Sequence, residues 1–201
     1  MTEVKVLVVG VHDHLDENKM DIGSTTTLIK SNINIIVDPG SFVNKDKLLR
    51  ALKDEGLEPT DIQAVIFTHT HFDHTANTFL FPQAKVYLRF KHGNYPGMYQ
   101  KIDEGYLQRF DLINEPIAEN VQIIETTGHS IDHVSVVVNT EMGKIVIVGD
   151  AITKEVWIDV NKQPEIDFVY SVEEFNKSRE KILAIADYIV PGHGPMFKVE
   201  K

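Results

Sequence analysis

Apolar positions fall in short runs separated by polar stretches and by glycine- and proline-marked turns. Residues 4–11 form an apolar run that predicts a buried strand. Residues 12–20 are polar and predict a loop. Residues 25–30 and 33–37 predict two strands around Ser31-Asn32, and Asp38-Pro39-Gly40 ends the second. Residues 44–55 place Leu48, Leu49 and Leu52 on one face with Gly56 behind them, the pattern of an amphipathic helix with a glycine stop. Residues 64–68 and 85–88 predict further strands, whereas 89–108 lacks strong periodicity. Residues 121–126 predict a strand, and 134–139 with 144–148 a hairpin around Glu141-Met142-Gly143. Ser171 and Glu174 form a capping-box pattern for a helix carrying Phe175, Ile182 and Ile185. Residues 188–190 predict a last strand before Pro191-Gly192-His193-Gly194. The strands form two groups with helices between them.

One stretch carries far more than packing requires. Directly after the apolar run 64–67, His69, His71, Asp73 and His74 set three imidazoles and one carboxylate within six residues. Both groups are ligands for zinc and similar divalent metals. His129, Asp150 and His193 likewise follow predicted strand ends, where loops held by a rigid sheet gather function. Seven side chains exceed the needs of one tetrahedral ion and suit two. Two metals about 3.5–4 Å apart share a hydroxide that is available as a nucleophile at neutral pH.

Composition narrows the picture. The 201 residues suffice for one sizeable core, and a single domain over 1–201 is expected. Cysteine is absent, so disulfides and thiolate ligands are excluded. The net charge of −10 argues against a polyanionic partner. Without a long apolar span or a basic-then-apolar leader, a cytoplasmic protein with no membrane partner is expected. The sequence leaves the oligomeric state open. His133 opens a strand and reads as a buried structural partner beneath the site. His12 and His14 flank Asp13 and read as a solvated loop or pocket rim. His92, Tyr95, Tyr99 and Tyr106 read equally as substrate mouth or core filler, and residues 157–168, with Trp157, as an interface or a pocket cover.

The order His69-x-His71-x-Asp73-His74, Gly128-His129, Gly149-Asp150 and Pro191-Gly192-His193-Gly194 resembles the metallo-β-lactamase superfamily over nearly the whole chain, in the glyoxalase II and lactonase style. The resemblance implies an α/β fold, a four-layer αββα sandwich of two mixed sheets flanked by helices. It implies that His69, His71 and His129 hold one metal, that Asp73, His74 and His193 hold a second, and that Asp150 bridges. It also implies that Asp38 in Val37-Asp38-Pro39-Gly40 supports the site from behind. His71 stands where the flavodiiron branch carries Glu, which favours two Zn²⁺ per chain, with iron or manganese as alternatives. The chain runs eight residues past His193, so the glutathione-binding domain of glyoxalase II is not expected, nor are the insertions of the RNA- and tRNA-processing branches. Asp150 stands where true β-lactamases place Cys, which disfavours penicillin-type substrates.

The expected activity is hydrolysis of a small thioester, ester or lactone by a bridging hydroxide, with Asp73 orienting the nucleophile. The alternative is a metal-dependent phosphodiesterase or ribonuclease, since animal members of the compact group it resembles are linked to RNA cleavage. Lys85, Arg89, Lys91, Lys101 and Arg109 are the local candidates for the basic stripe this needs. A non-catalytic metal-binding protein is the remaining alternative.

Overall fold

The structure, a computed structural model, describes residues 1–89, 91–94, 99–102, 105–108, 111–112, 116–164 and 166–200. The side chains of 91–112 and 166 lie outside that description, and with them the readings on Lys91, His92, Tyr95, Tyr99, Lys101, Tyr106 and Arg109. In chain order the elements are β1 (Glu3–Val8), β2 (Val11–Asp16), β3 (Lys19–Gly23), β4 (Thr26–Lys30), β5 (Asn34–Val37), α1 (Lys45–Asp54), β6 (Ala64–Phe67) and α2 (Phe72–Thr75). Then come β7 (Lys85–Leu88), β8 (Lys91–Asn94), β9 (Tyr99–Ile102), β10 (Gly105–Gln108), β11 (Asp111–Leu112), β12 (Val121–Glu125), β13 (Val134–Thr140), β14 (Gly143–Gly149), α3 (Val172–Ile185), β15 (Tyr188–Pro191) and β16 (Phe197–Lys198).

Two mixed sheets face each other. One has the order β1-β4-β5-β6-β7-β8-β11 and the other β12-β13-β14-β15-β16. Pairing is parallel at β5–β6, β6–β7 and β14–β15. The strand period of two assigns each apolar side chain to a layer. Ile29, Ile35, Val37, Ala64 and Ile66 meet Val136, Val138, Ile145 and Ile147 between the sheets. Their neighbours Leu28, Ile36, Val65 and Val86 point the other way, onto Leu48 and Leu52 of α1. On the far side Val137, Val146 and Val148 pack with Ile182 of α3. With both faces buried, central strands read as continuous apolar runs, and the αββα layering follows.

The helices start and stop as their sequences direct. Ser171 Oγ accepts the Glu174 amide hydrogen at the start of α3. Gly56, at φ +73°, donates its N–H to the Lys53 carbonyl behind α1. The buried face of α3 also holds a charge that periodicity does not reveal. Arg179 is fully buried, and its guanidinium donates to the carbonyls of Trp157, Asp159, Val160 and Lys162. These bonds tie 157–162 onto α3.

Two local readings need correction. The predicted 4–11 strand ends at Val8, after an irregularity between Val6 and Val8. The predicted 12–20 loop is instead the hairpin of β2 and β3, with Val11 opposite Gly23 and His12 opposite Ile22. Most of the hairpin is exposed, so no buried face imposed the apolar alternation by which a strand is recognised. Among the described residues no helix is long and apolar enough to cross a membrane.

Candidate metal centre

The parallel strands β5 and β6 end at the same edge of the first sheet, delivering Asp38 and the 68–74 segment. Strands β14 and β15 deliver Asp150 and His193 from the second sheet, and β12 leads to His129. Backbone bonds join the sheets at this edge: Val134 N donates to Thr68 O at 2.8 Å, and Thr25 N to Gly192 O at 2.6 Å. Glycine makes the close approach feasible at two places. A side chain on Gly192 would overlap Asp150 Oδ1, and one on Gly149, at φ +47°, would overlap Thr68.

The seven sequence-derived side chains converge as two donor sets. His69, His71, His129 and Asp150 form one, and Asp73, His74 and His193 the other, with the donor atoms of each set within 4.8 Å of one another. Asp150 faces both. Its Oδ2 lies 3.4 Å from His129 Nε2, while its Oδ1 lies 3.1 Å from His193 Nε2 and 3.5 Å from His74 Nε2. His129 Nε2 is 3.0 Å from His71 Nδ1, and Asp73 Oδ2 is 3.6 Å from the Nε2 atoms of His74 and His193. Tetrahedral coordination with zinc–nitrogen distances of about 2.0–2.1 Å puts neighbouring donors roughly 3.3 Å apart. The observed spacings bracket that value. His69 Nε2, Asp73 Oδ2, His74 Nε2, Asp150 Oδ1 and His193 Nε2 are buried without a hydrogen-bond partner of proper geometry. Lone pairs converging in this way fit divalent cations.

A further set of contacts fixes which nitrogen of each ring faces inward. Asp38 Oδ2 accepts from His74 Nδ1 at 2.8 Å and from Thr68 Oγ1 at 2.6 Å, while Oδ1 accepts from Thr68 N at 2.8 Å. Thr68 Oγ1 has its proton committed to Asp38, so it accepts from His69 Nδ1 at 3.0 Å. His193 Nδ1 donates to the carbonyls of Val11 and Gly23, each at 2.9 Å. When these three rings are neutral, as metal ligation requires, Nε2 is left as the inward lone pair. The hairpin carbonyls carry no side-chain signature, and nothing in the sequence marks them. Among the described residues, Phe168 lies with its ring 4.5 Å from that of His129 and 6.4 Å from that of His12. This end of the 157–168 segment reaches the donor set at His129, whereas Trp157 packs beside the α3 core. His12 stands at the rim, its ring 5.2 Å from that of His193.

Electrostatics separates the histidines. Burial opposes charge on His74, but Asp38 and Asp150 outweigh it and hold its pKa well above 6.5. Burial likewise opposes charge on His193, and Asp150 raises its pKa nonetheless. Burial, then repulsion from His74 and His133, drives His69 well below 6.5, and burial brings His129 down to about 4 despite Asp150. Asp150 is held well below the ordinary carboxylate range because His74 and His193 outweigh its burial. Protons and divalent cations therefore compete for the same centre, and metal uptake releases protons.

His133 is fully buried, stacks on His69 with centroids 5.0 Å apart, and pairs its Nδ1 with Thr126 Oγ1 at 3.0 Å. Burial pushes its pKa down to about 3. In the unfolded chain this ring takes up a proton near pH 6.5, whereas in the folded protein it stays neutral until about pH 3. Stability is therefore lost as pH falls through that window, and no more is lost below it. Between pH 7 and pH 5 this residue is expected to contribute about 2 kcal/mol of that loss. Urea unfolding of metal-free protein checks this, with a shallower pH dependence expected for His133→Asn.

Residues 21–193 match the family described as the Metallo-beta-lactamase superfamily. The chain is 30% identical over 206 residues to Metallo-beta-lactamase domain-containing protein 1 of Xenopus laevis, covering 98% of this chain and 82% of that protein. It is 36% identical over 171 residues to the Rattus norvegicus protein of the same name, covering 82% of this chain but 63% of the rat protein. Among solved structures, a candidate metallo-beta-lactamase from Thermotoga maritima superposes with a TM-score of 0.73 at 24% identity, covering 98% of this chain and 99% of that one. An N-acyl homoserine lactone hydrolase, solved with N-hexanoyl-L-homoserine bound at its catalytic metal centre, superposes with a TM-score of 0.64 at 20% identity, covering 96% and 92%. Sheet order, strand-end placement of the donors and these matches agree: the chain belongs to the metallo-beta-lactamase superfamily.

Proposed function

We propose that this protein is a dinuclear zinc hydrolase acting on a small thioester, ester or lactone. The observation that carries the reading is Asp150, which turns one carboxylate oxygen to each of two donor sets. In this reading His69, His71 and His129 hold one ion, Asp73, His74 and His193 the other, and Asp150 bridges. When bound, the ions supply hydroxide at neutral pH and polarise the carbonyl oxygen of the substrate. The chain's own residues do the rest. Asp38 and Thr68 keep His74 and His69 in the ligating tautomer, and the hairpin carbonyls do so for His193. Asp73 is 18% exposed where His74 and His193 are fully buried, which supports the reading that its carboxylate orients the nucleophile and passes a proton to the leaving group. Phe168 and His12 lie beside the donor sets, their rings 4.5 Å from that of His129 and 5.2 Å from that of His193. The solved lactone hydrolase, with its product at a metal centre, supports a small acyl substrate. The basic stripe required for RNA is weakened at Arg89, which pairs with Glu125.

The test is a panel of thioesters, lactones and RNA phosphodiesters assayed on zinc-loaded and chelated protein. Hydrolysis of an acyl substrate is expected with zinc, falling to background after chelation and returning with added zinc. Asp73→Ala and His129→Ala are expected to lose it. Turnover that survived chelation would sink the mechanism, and cleavage of RNA alone would replace the substrate class.

A further inference from the structure

We propose that Asp132 is a positioning residue that sets the spacing between the loop carrying His69 and His71 and the loop carrying His129. The proposal rests on the two-metal reading above. Asp132 Oδ2 accepts from Thr70 Oγ1 at 2.8 Å, and Oδ1 accepts from Ser130 Oγ at 2.6 Å. Thr70 sits between His69 and His71, and Ser130 directly follows His129. One half-buried carboxylate thus has an oxygen on each of two loops that leave different sheets.

The need for such a clamp is specific to this donor set. His69 is held by Thr68, His74 by Asp38, and His193 by the hairpin carbonyls, and all three are buried. His71 and Thr70 are exposed. The His71 carbonyl accepts from His74 N and Thr75 Oγ1, bonds that stay within its own loop. The Thr70–Asp132 bond ties the exposed half of the loop to the opposite sheet. His71 Nδ1 and His129 Nε2, 3.0 Å apart, are the atoms whose separation it governs. Losing the clamp frees that separation while leaving Asp38 and the second donor set untouched.

The test is cobalt(II) titration of the full chain against a chromogenic chelator, read with the cobalt d–d absorption. Asp132→Ala is expected to weaken one of two cobalt ions about 10–100-fold, the usual range when a group supporting a metal ligand is lost. The d–d bands of that ion shift, and the other ion binds as in the parent. Asp132→Asn, which keeps one acceptor oxygen, falls between the two. Thr70→Val and Ser130→Ala each cause part of the loss alone and add nothing in the Asp132→Ala background. Unchanged cobalt binding in Asp132→Ala overturns the proposal. So does equal weakening of both ions together with a lower unfolding midpoint of the metal-free protein, which assigns Asp132 to the fold alone. A parent protein that takes up no cobalt overturns the metal reading itself, so the two failures are distinct.

Discussion

Asp150→Ala is expected to cost the protein both its metal occupancy and its hydrolytic activity. The carboxylate is buried and lies 3.1–3.5 Å from the Nε2 atoms of His193, His129 and His74. No neighbouring carboxylate reaches both donor sets, since Asp73 pairs only with His74 and His193 among the described residues. On the proposed two-metal reading, its removal would take a negative charge from between two cations and leave the imidazoles to repel. A catalytic metal pair would contribute several kcal/mol of transition-state stabilisation, so on that reading kcat/KM is expected to fall by roughly three powers of ten or more. Bound zinc, counted by atomic absorption, is expected to drop from two ions to one or none. Asp150→Asn, which keeps the shape but turns one oxygen into a donor, is expected to fail nearly as badly, and this separates charge from packing. Retention of two ions with turnover close to that of the parent would refute the bridging role.

Asp38→Ala is expected to give the largest loss of stability. Asp38 is 2% exposed and accepts three hydrogen bonds, from Thr68 N, Thr68 Oγ1 and His74 Nδ1. Breaking a buried charged pair by removing one partner costs about 3–5 kcal/mol. The backbone adds a second effect. Asp38 sits at φ +50°, a region that side chains other than Asn and Asp rarely occupy. Alanine keeps that strain and glycine does not, so Asp38→Gly is expected to be more stable than Asp38→Ala by about 1 kcal/mol. The pH dependence has a definite sign. The raised pKa of His74 contributes stability that is fully present below pH 6.5 and lost as pH rises through the folded value. Because Asp38 raises it, the penalty in metal-free protein is expected to be larger at pH 6 than at pH 9. Zinc affinity is expected to fall about 10–100-fold as His74 and His69 lose their fixed tautomers. Urea unfolding at the two pH values, with zinc competition, checks both. A penalty independent of pH would mean that Asp38 acts through packing alone.

Much of the frame is legible in the sequence alone. The apolar runs at 28–29, 35–37 and 64–66 mark strands buried on both faces, and the alternation within them gives the two layers each strand serves. Leu48 and Leu52 marked the buried side of α1, and Ser171 with Glu174 marked the start of α3. The seven candidate donors stood out because each follows a strand end, a local property of the chain. The β2–β3 hairpin did not stand out, since it buries too little to need an apolar face. Arg179 did not either, because most of its acceptors are backbone carbonyls, which leave no mark in the sequence.

The sequence by itself determined which side chains are available and on which strand ends they stand. Strand period, capping and turn chemistry act over a few residues and are written locally. The resemblance implied how the donors divide, but only the tertiary fold brings them together physically, turns Nε2 of His69, His74 and His193 inward and sets Asp150 against both sets. Those features depend on contacts between residues as far apart as Val11 and His193, 182 positions along the chain, and no local rule reaches across that distance.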